Sequence, residues 1–177
     1  MKRARAASSL LLALLVWPVA AQEPIALEGV VDASVAEVWK LFTTKEGLSS
    51  WLAPVAEIDL KVGGAMRMNY DREGRIGGLG TITKTILSYD PGRMLSIKEA
   101  GVPADFPSKK LMERLWTVIY FEPAGEARTR VKVVGLGYGD DAESKAMRDL
   151  FEKGSADTLE KLKRRVSGAR PPAPPGK

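Results

Sequence analysis

The chain has 177 residues, of which 45% are hydrophobic and 28% charged, and it contains no cysteine and no histidine. The lack of cysteine excludes disulfides, thiolate nucleophiles and acylation of a cysteine, and the lack of histidine excludes a Ser-His-Asp triad and the usual metal ligand. We therefore expect a single globular domain without metal or cofactor, long enough to be stabilised by its hydrophobic core alone.

The first 21 residues have the features of a secretory signal peptide. Basic side chains lie within positions 2–5, an apolar segment covers 10–16, and Val-Ala-Ala at 19–21 forms a small-residue cleavage site. The apolar segment is well short of the roughly 20 residues that span a bilayer. We therefore expect cleavage, export to the periplasm or the medium, and no membrane span in the mature chain.

Removal of residues 1–21 takes away three positive charges and no negative ones, which lowers the formal net charge from +5 to +2. No basic stripe typical of nucleic-acid binding remains, so nucleic acid is not an expected partner. The mature chain is predicted to consist of one domain, 22–167, and a disordered tail, 168–177, with four prolines. A polyproline ligand for a protein partner is the alternative interpretation of this tail.

The domain is predicted to begin with a strand at 25–32, followed by a helix that Ser34 caps and a second short helix at 45–52. Six strand-like runs follow, at 57–62, 65–70, 80–89, 93–98, 114–122 and 129–137. Consecutive strands with short connections must pair antiparallel. The one long connection, 99–113, is interpreted either as a lid over a binding site or as a loop packed on the edge of the sheet.

A long amphipathic helix is predicted from Asp140 to Ser167, begun by a capping-box-like pair of Asp140 and Glu143 and ended by Gly168. Its apolar residues fall on one half of the helix: Met147, Leu150, Phe151, Gly154, Thr158, Leu159, Leu162 and Val166. A sheet with one apolar face must bury that face, and this helix is the element long enough to cover it. The predicted fold class is α+β, with a curved seven-stranded antiparallel sheet wrapped around the C-terminal helix.

Several segments, in order, resemble one known superfamily. These segments are Val-Asp-Ala-Ser-Val-Ala-Glu-Val-Trp and its continuation at 31–52, Val-Gly-Gly-Ala-Met-Arg-Met at 62–68, Asp-Pro-Gly-Arg-Met-Leu at 90–95, Thr-Arg-Val-Lys-Val at 129–133 and Leu-Glu-Lys-Leu-Lys-Arg at 159–164. The chain resembles the START-like, or SRPBCC, superfamily, and within it the Hsp90-ATPase-activator-homologue group. The resemblance implies a helix-grip fold with a hydrophobic cavity between sheet and helix, in a superfamily that binds apolar molecules and includes some cyclases and co-chaperones.

The chain departs from this pattern in two respects. A signal peptide would separate it from any Hsp90, so a co-chaperone role is not expected. Relatives often carry a histidine late in the last strand, whereas residues 133–136 are Val-Val-Gly-Leu.

Strand alternation and the helix stripe select all but one of the candidate ligand-binding residues, and Trp51 of the second short helix is added as an aromatic side chain expected nearer the open end of the sheet. Parity does not decide which face of the 114–122 strand points inward, and Ile119 and Phe121, rather than Trp116 and Tyr120, are chosen because the family register implies them. The candidates are Trp51, Met66, Met68, Tyr70, Ile119, Phe121, Met147, Phe151 and Gly154.

Gly154 lies in the middle of the helix stripe, where glycine costs about 1 kcal/mol relative to alanine. Two explanations remain open, a strand that approaches closely at this point or a hollow for a ligand.

We predict no catalytic or metal-binding residues, and the leading hypothesis is an exported, non-catalytic binder of a small hydrophobic or amphipathic molecule. The alternatives are a cyclase-like or isomerase-like enzyme that uses a buried carboxylate or Tyr70, and an interaction module for a protein of the cell envelope.

Overall fold

The computed structural model describes residues 24–101 and 108–168. The predicted signal peptide, residues 169–177 of the predicted tail and residues 102–107 of the long connection lie outside the described residues. Seven strands and four helices are present in the described residues: β1 Ile25–Val31, α1 Val35–Thr43, α2 Lys45–Trp51, β2 Val55–Ile58, β3 Ala65–Asn69, β4 Ile82–Asp90, β5 Met94–Gly101, α3 Lys109–Met112, β6 Trp116–Pro123, β7 Thr129–Leu136 and α4 Ala142–Val166.

The strands form one antiparallel sheet in the order β1-β7-β6-β5-β4-β3-β2. The chain returns from β7 through α4, which packs chiefly against β1 and covers the inner face of the sheet. The predicted fold class is therefore confirmed. No helix among residues 24–101 and 108–168 combines the length and apolarity needed to cross a bilayer.

Helix α1 begins with a complete capping box. The amide of Glu37 donates to Ser34 Oγ at 3.3 Å, and the amide of Ser34 donates to Glu37 Oε2 at 2.9 Å. Its apolar side places Trp39 and Phe42 edge-on against Phe121 of β6, with ring centroids 5.5 and 5.1 Å apart. These aromatic contacts attach α1 to the inner face of the sheet.

Several predicted boundaries are wrong, among them the end of the fifth strand, which lies at Gly101 rather than at residue 98. The second strand covers residues 55–58 rather than 57–62, because the chain turns after Ile58 and leaves Val62 67% exposed. The N-cap of α4 is Asp141 rather than Asp140, since Asp141 Oδ1 accepts a hydrogen bond from the amide of Ser144 at 2.8 Å. The predicted end is confirmed, with Gly168 at a positive φ of 73°.

The helix α4 is buried at two places and not between them. Near its C-terminus, Leu159 and Leu162 join the main core, and near its N-terminus Met147 joins a second core with residues of α3. Leu150 is 56% exposed and Gly154 is exposed. The middle of the predicted apolar stripe therefore stands away from the sheet.

Of the connection predicted at 99–113, residues 99–101 continue β5 and residues 109–112 form α3, whose Leu111 and Met112 are buried against Leu115 and Met147. Phe151 packs against this second core from the next turn of α4. This part of the connection therefore packs beneath the N-terminal half of α4.

Candidate functional site

A cavity of about 360 Å³ lies between the inner face of the sheet and the middle of α4. This volume is within the usual range for sites that hold small molecules. The residues that line it are Phe42, Trp51, Leu52, Met66, Met68, Tyr70, Lys84, Ile97, Thr117, Ile119, Val131, Val133, Leu150, Phe151, Gly154, Ser155, Thr158, Leu159 and Leu162.

The wall formed by the sheet follows from strand alternation. On β3, Met66 and Met68 point inward and are 2% and 1% exposed. On β6 and β7, the paired residues Ile119 and Val133 line the cavity from the same face of the sheet. Because successive side chains of a strand point to opposite faces, these positions form a continuous apolar surface across the sheet.

The opposite wall is formed by α4, and the space around Gly154 is open. A β-carbon built at Gly154 would meet no atom within 4 Å, and Gly154 lines the cavity together with Ser155 and Thr158. Of the two explanations for this glycine, close packing of a strand is therefore wrong. The other explanation, a hollow at this point of the helix, agrees with the structure.

Seven of the nine candidate residues line the cavity: Trp51, Met66, Met68, Tyr70, Ile119, Phe151 and Gly154. The other two lie elsewhere. Phe121 points inward as expected but packs against Trp39 and Phe42 beneath α1. Met147 packs against the second core, one turn of α4 before the cavity begins.

Trp51 and Tyr70 lie at the margins of the cavity. The indole nitrogen of Trp51 donates to the carbonyl oxygen of Leu41 at 3.0 Å, which fixes the ring against Phe42 with centroids 5.0 Å apart. Tyr70 follows the end of β3 and is 50% exposed, so the cavity meets solvent on this side. Burial raises the pKa of the Tyr70 hydroxyl above its ordinary value, and the negative charge of Glu99 raises it further.

Sequence reasoning missed an ion pair beside the cavity. Lys84 of β4 lines the cavity and pairs with Glu99 of β5, and their side chains are only 20% and 11% exposed. Alternation within the predicted strands could have identified Lys84, whereas Glu99 lies beyond the predicted end of the fifth strand at residue 98. Lys84 has the same parity as Ile86, and Glu99 has the same parity as Ile97, so each places a charge on an apolar strand face.

A second concavity of about 280 Å³ lies next to the cavity and is strongly basic. Trp51 and Leu52 line both spaces, so the two share a wall. The charged residues of the second space are all cations: Arg72, Lys161, Arg164 and Arg165. Arg165 Nε donates to Ser50 Oγ at 3.1 Å and joins α4 to α2.

The arrangement can enclose an apolar molecule and offer it a few polar contacts at one side. Among the described residues, no group of three or more acidic side chains is placed to hold a metal ion. The ionisable groups at the cavity are Tyr70 and Lys84, with Glu99 paired to the lysine.

The sequence matches the model of the family described as polyketide cyclase/dehydrase and lipid transport over residues 25–167. The match begins at β1 and ends just after α4, so it includes both walls of the cavity. A search of curated proteins gives no match.

Solved structures share the fold at low sequence identity. A protein from Mesorhizobium loti is 15% identical, with 84% of this chain and 100% of that chain covered, at a TM-score of 0.64. The Aha1 dimer from Colwellia psychrerythraea is 16% identical, with coverages of 82% and 96% and a TM-score of 0.62. CalU16 from Micromonospora echinospora is 20% identical, with coverages of 81% and 76% and a TM-score of 0.60.

At these identities the structural matches show a common fold, whereas the family match extends over most of the sequence. Both agree with the resemblance that the sequence motifs carry. The chain belongs to the polyketide cyclase/dehydrase and lipid transport family, within the START-like superfamily.

Proposed function

We propose that the protein is an exported, non-catalytic carrier that holds a small hydrophobic or amphipathic molecule between the sheet and α4. The observation that carries this proposal is the cavity of about 360 Å³, whose wall is mostly aliphatic, aromatic and methionine side chains. Methionine side chains are flexible, so Met66 and Met68 suit a wall that adapts to its occupant.

The energetics favour an apolar occupant. Transfer of ten methylene groups from water to this surface stabilises the complex by roughly 8 kcal/mol, whereas association costs about 4 kcal/mol or more. The difference of at most about 4 kcal/mol corresponds to a dissociation constant of about 1 mM or weaker for ten methylene groups, so tighter binding needs a larger apolar surface. A molecule with a long alkyl chain or fused rings is therefore the expected class.

Displacement of a neutral fluorescent probe tests the proposal directly. N-phenyl-1-naphthylamine should become fluorescent on addition of the protein, and long-chain apolar compounds should displace it. Val133→Phe places a ring in the cavity and should weaken uptake of the probe about tenfold or more. Lys132→Phe, at the adjacent position on the opposite face of β7, is the matched control and should leave uptake unchanged.

A wild-type protein that takes up neither this probe nor any other hydrophobic dye contradicts the proposal. Native mass spectrometry of protein purified from its own compartment adds an independent measurement, since a carrier should retain its occupant.

Export is tested by fractionation of cells that produce the full chain or a chain lacking residues 2–21. The full chain should appear outside the cytosol in a form shortened at its N-terminus, and the shorter chain should not leave the cytosol.

An enzyme of the cyclase or isomerase type is the second candidate, and one observation favours it. The cavity wall is not wholly apolar, because Tyr70 and Lys84 line it and Glu99 lies beside the lysine. A tyrosine hydroxyl is protonated near neutral pH at its ordinary pKa, and the pKa of Tyr70 is raised further, so it would act as a hydrogen-bond donor rather than as a base. A ligand recovered from the protein with its mass and structure unchanged after long incubation supports the carrier, and a rearranged product supports the enzyme.

A further inference from the structure

The second concavity, referred to below as the basic concavity, carries charge of one sign. Its charged residues are Arg72, Lys161, Arg164 and Arg165, and no aspartate or glutamate lines it. Among residues 24–101 and 108–168, none of these four cations forms an ion pair with a carboxylate. A cleft lined by charges of one sign raises the local concentration of ions of the opposite sign. The basic concavity therefore attracts an anion.

The preference of helix ends for cations explains only part of this charge. Lys161, Arg164 and Arg165 lie near the end of α4, where the helix dipole favours positive side chains. Arg72 lies in the loop after β3, far from α4 in sequence, so the dipole does not account for its position. The fold therefore brings a fourth cation from a separate element to the same concavity.

The side chains of the basic concavity suit an oxyanion. Three of the four cations are arginines, and a guanidinium group can donate two parallel hydrogen bonds to a carboxylate or a phosphate. Ser49 and Ser50 add hydroxyl groups on the side of α2. Arg165 Nε donates to Ser50 Oγ at 3.1 Å, which positions this guanidinium group beside α2. The concavity therefore presents both the charge and the hydrogen-bond donors that an oxyanion needs.

The basic concavity and the apolar cavity share a margin on three elements. On α2, Trp51 lines both spaces. On α4, Leu162 lines the cavity and its neighbour Lys161 lines the concavity. After β3, Tyr70 lines the cavity and is 50% exposed, and Arg72 lines the concavity. A molecule that fills the cavity and extends past Trp51 therefore meets the cations.

The cavity itself has no unpaired cation among the described residues that line it. Lys84 is the cation in its wall, and Glu99 of the neighbouring strand already neutralises this lysine. An anionic group inside the cavity would lose its hydration without gaining a cation of its own. The charged end of an anionic ligand is therefore expected outside the cavity, beside the four cations.

We infer that the basic concavity binds an oxyanion group, a phosphate or a carboxylate, at one end of a molecule whose apolar part lies in the cavity. The ligand is then an anionic amphiphile. Arg72, Lys161 and Arg164 bind the oxyanion in this arrangement, together with the guanidinium group that Ser50 positions. This inference rests on the proposed carrier function and adds the chemical class of the ligand.

Three compounds with a twelve-carbon chain test this inference by displacement of N-phenyl-1-naphthylamine. Dodecyl phosphate and dodecanoate end in an oxyanion, whereas dodecanol ends in a neutral hydroxyl. At low ionic strength the wild-type protein should bind at least one of the anions roughly tenfold more tightly than the alcohol, through charge-assisted hydrogen bonds at a partly exposed site. This preference should fall to about twofold or less in about 0.5 M sodium chloride, because salt screens exposed charges.

The triple variant Arg72→Gln/Lys161→Gln/Arg164→Gln removes three cations and retains Arg165, which contacts α2. It should fold, since the three substitutions lie at exposed positions. The variant should bind dodecanol as the wild type does and lose the preference for the anion. The matched control is Lys40→Gln/Arg130→Gln/Lys145→Gln, which removes the same charge from exposed positions that line neither space. The control should retain the preference.

The same anion without an alkyl chain distinguishes a headgroup from a free anion. Inorganic phosphate or acetate, titrated by calorimetry, should bind at least tenfold more weakly than dodecyl phosphate or dodecanoate. Equal affinity for the compounds with and without the chain would show that the concavity takes a free anion, which overturns the inference.

The remaining outcomes separate this inference from the function on which it rests. If the wild type binds neither anion more tightly than dodecanol, or if the preference persists in the triple variant, the headgroup site is overturned and the carrier function stands. Displacement of the probe by none of the three compounds overturns the carrier function as well. If circular dichroism shows that the triple variant is unfolded, the salt dependence of the wild type decides, and a preference unchanged by salt overturns the site.

Discussion

Leu159 of the long helix packs directly onto Gly29 of the first strand. A β-carbon built at Gly29 would lie 2.7 Å from Leu159 Cδ2 and 3.3 Å from the Cε atom of Lys163. The absence of a side chain at this position of β1 lets α4 approach the sheet at its C-terminal end. The close approach between helix and sheet therefore depends on the glycine of the strand, whereas Gly154 of the helix faces open space.

A larger side chain at Gly29 should push α4 away from β1 and destabilise the fold. Gly29→Val adds a branched side chain where Leu159 Cδ2 already lies, so we expect a loss of about 1–3 kcal/mol in the free energy of unfolding. Urea denaturation followed by tryptophan fluorescence measures this loss. The double variant Gly29→Val/Leu159→Ala restores space at the same contact, and its effect should be smaller than the sum of the two single effects. Simple additivity would show that the two residues do not compete for space.

Substitution of Gly154 should have the opposite effect on stability. Gly154→Ala adds a methyl group that contacts no other atom within 4 Å and restores helix propensity, so we expect a gain of about 1 kcal/mol. Thermal unfolding measures the gain. Opposite signs for Gly29→Val and Gly154→Ala would show that only Gly29 lies at a close contact between helix and sheet. A loss of stability in Gly154→Ala would contradict the open space at this position.

The hydroxyl of Thr129 closes a buried hydrogen bond at the start of β7. Thr129 is 0% exposed, and its Oγ1 donates to the carbonyl oxygen of Ala33 at 2.7 Å, between segments far apart in sequence. Thr129→Val keeps the shape but leaves this carbonyl without the donor, and should cost about 1–3 kcal/mol by chemical denaturation. Thr158→Val is the control, because its hydroxyl makes an exposed hydrogen bond to the carbonyl oxygen of Gly154 within α4, and it should change stability by less than about 0.5 kcal/mol.

Tyr138 should make stability depend on pH in alkaline solution. Burial raises its pKa to about 12, although the positive charge of Arg148 acts in the opposite direction. In the unfolded chain a tyrosine ionises near 10, so between about pH 10 and 12 the folded state binds the proton more tightly than the unfolded state. The contribution of Tyr138 to stability is therefore complete below about pH 10 and is lost as the pH rises toward 12.

Ultraviolet absorbance of the phenolate measures this titration. Tyr138→Phe should remove a component that ionises near 12 and should flatten the decline in unfolding free energy over the same pH range. Retention of that component in the variant would assign it to another tyrosine.

Most of the fold could be predicted from the sequence, because its signals are local. Alternation in β3 and β7 identifies Met66, Met68, Val131 and Val133 as inward-facing without knowledge of the partner strands. The boundaries of α4 depend on its caps and were predicted to within two residues. Alternation does not identify the inner face of β6, since both faces of this strand are apolar. Only the resemblance to a family indicates that Ile119 and Phe121 point inward.

The sequence by itself determined the order of the elements, their inner faces and the amphipathic helix, because the repeat of each element depends on the geometry of its own backbone. Only the tertiary structure decided where the core remains unfilled. The register between β4 and β5 brings Lys84 and Glu99 together, and the contact at Gly29 sets how closely α4 approaches. These are distances between segments far apart in sequence, so no local pattern could show that Phe121 and Met147 lie outside the cavity while Gly154 lines it.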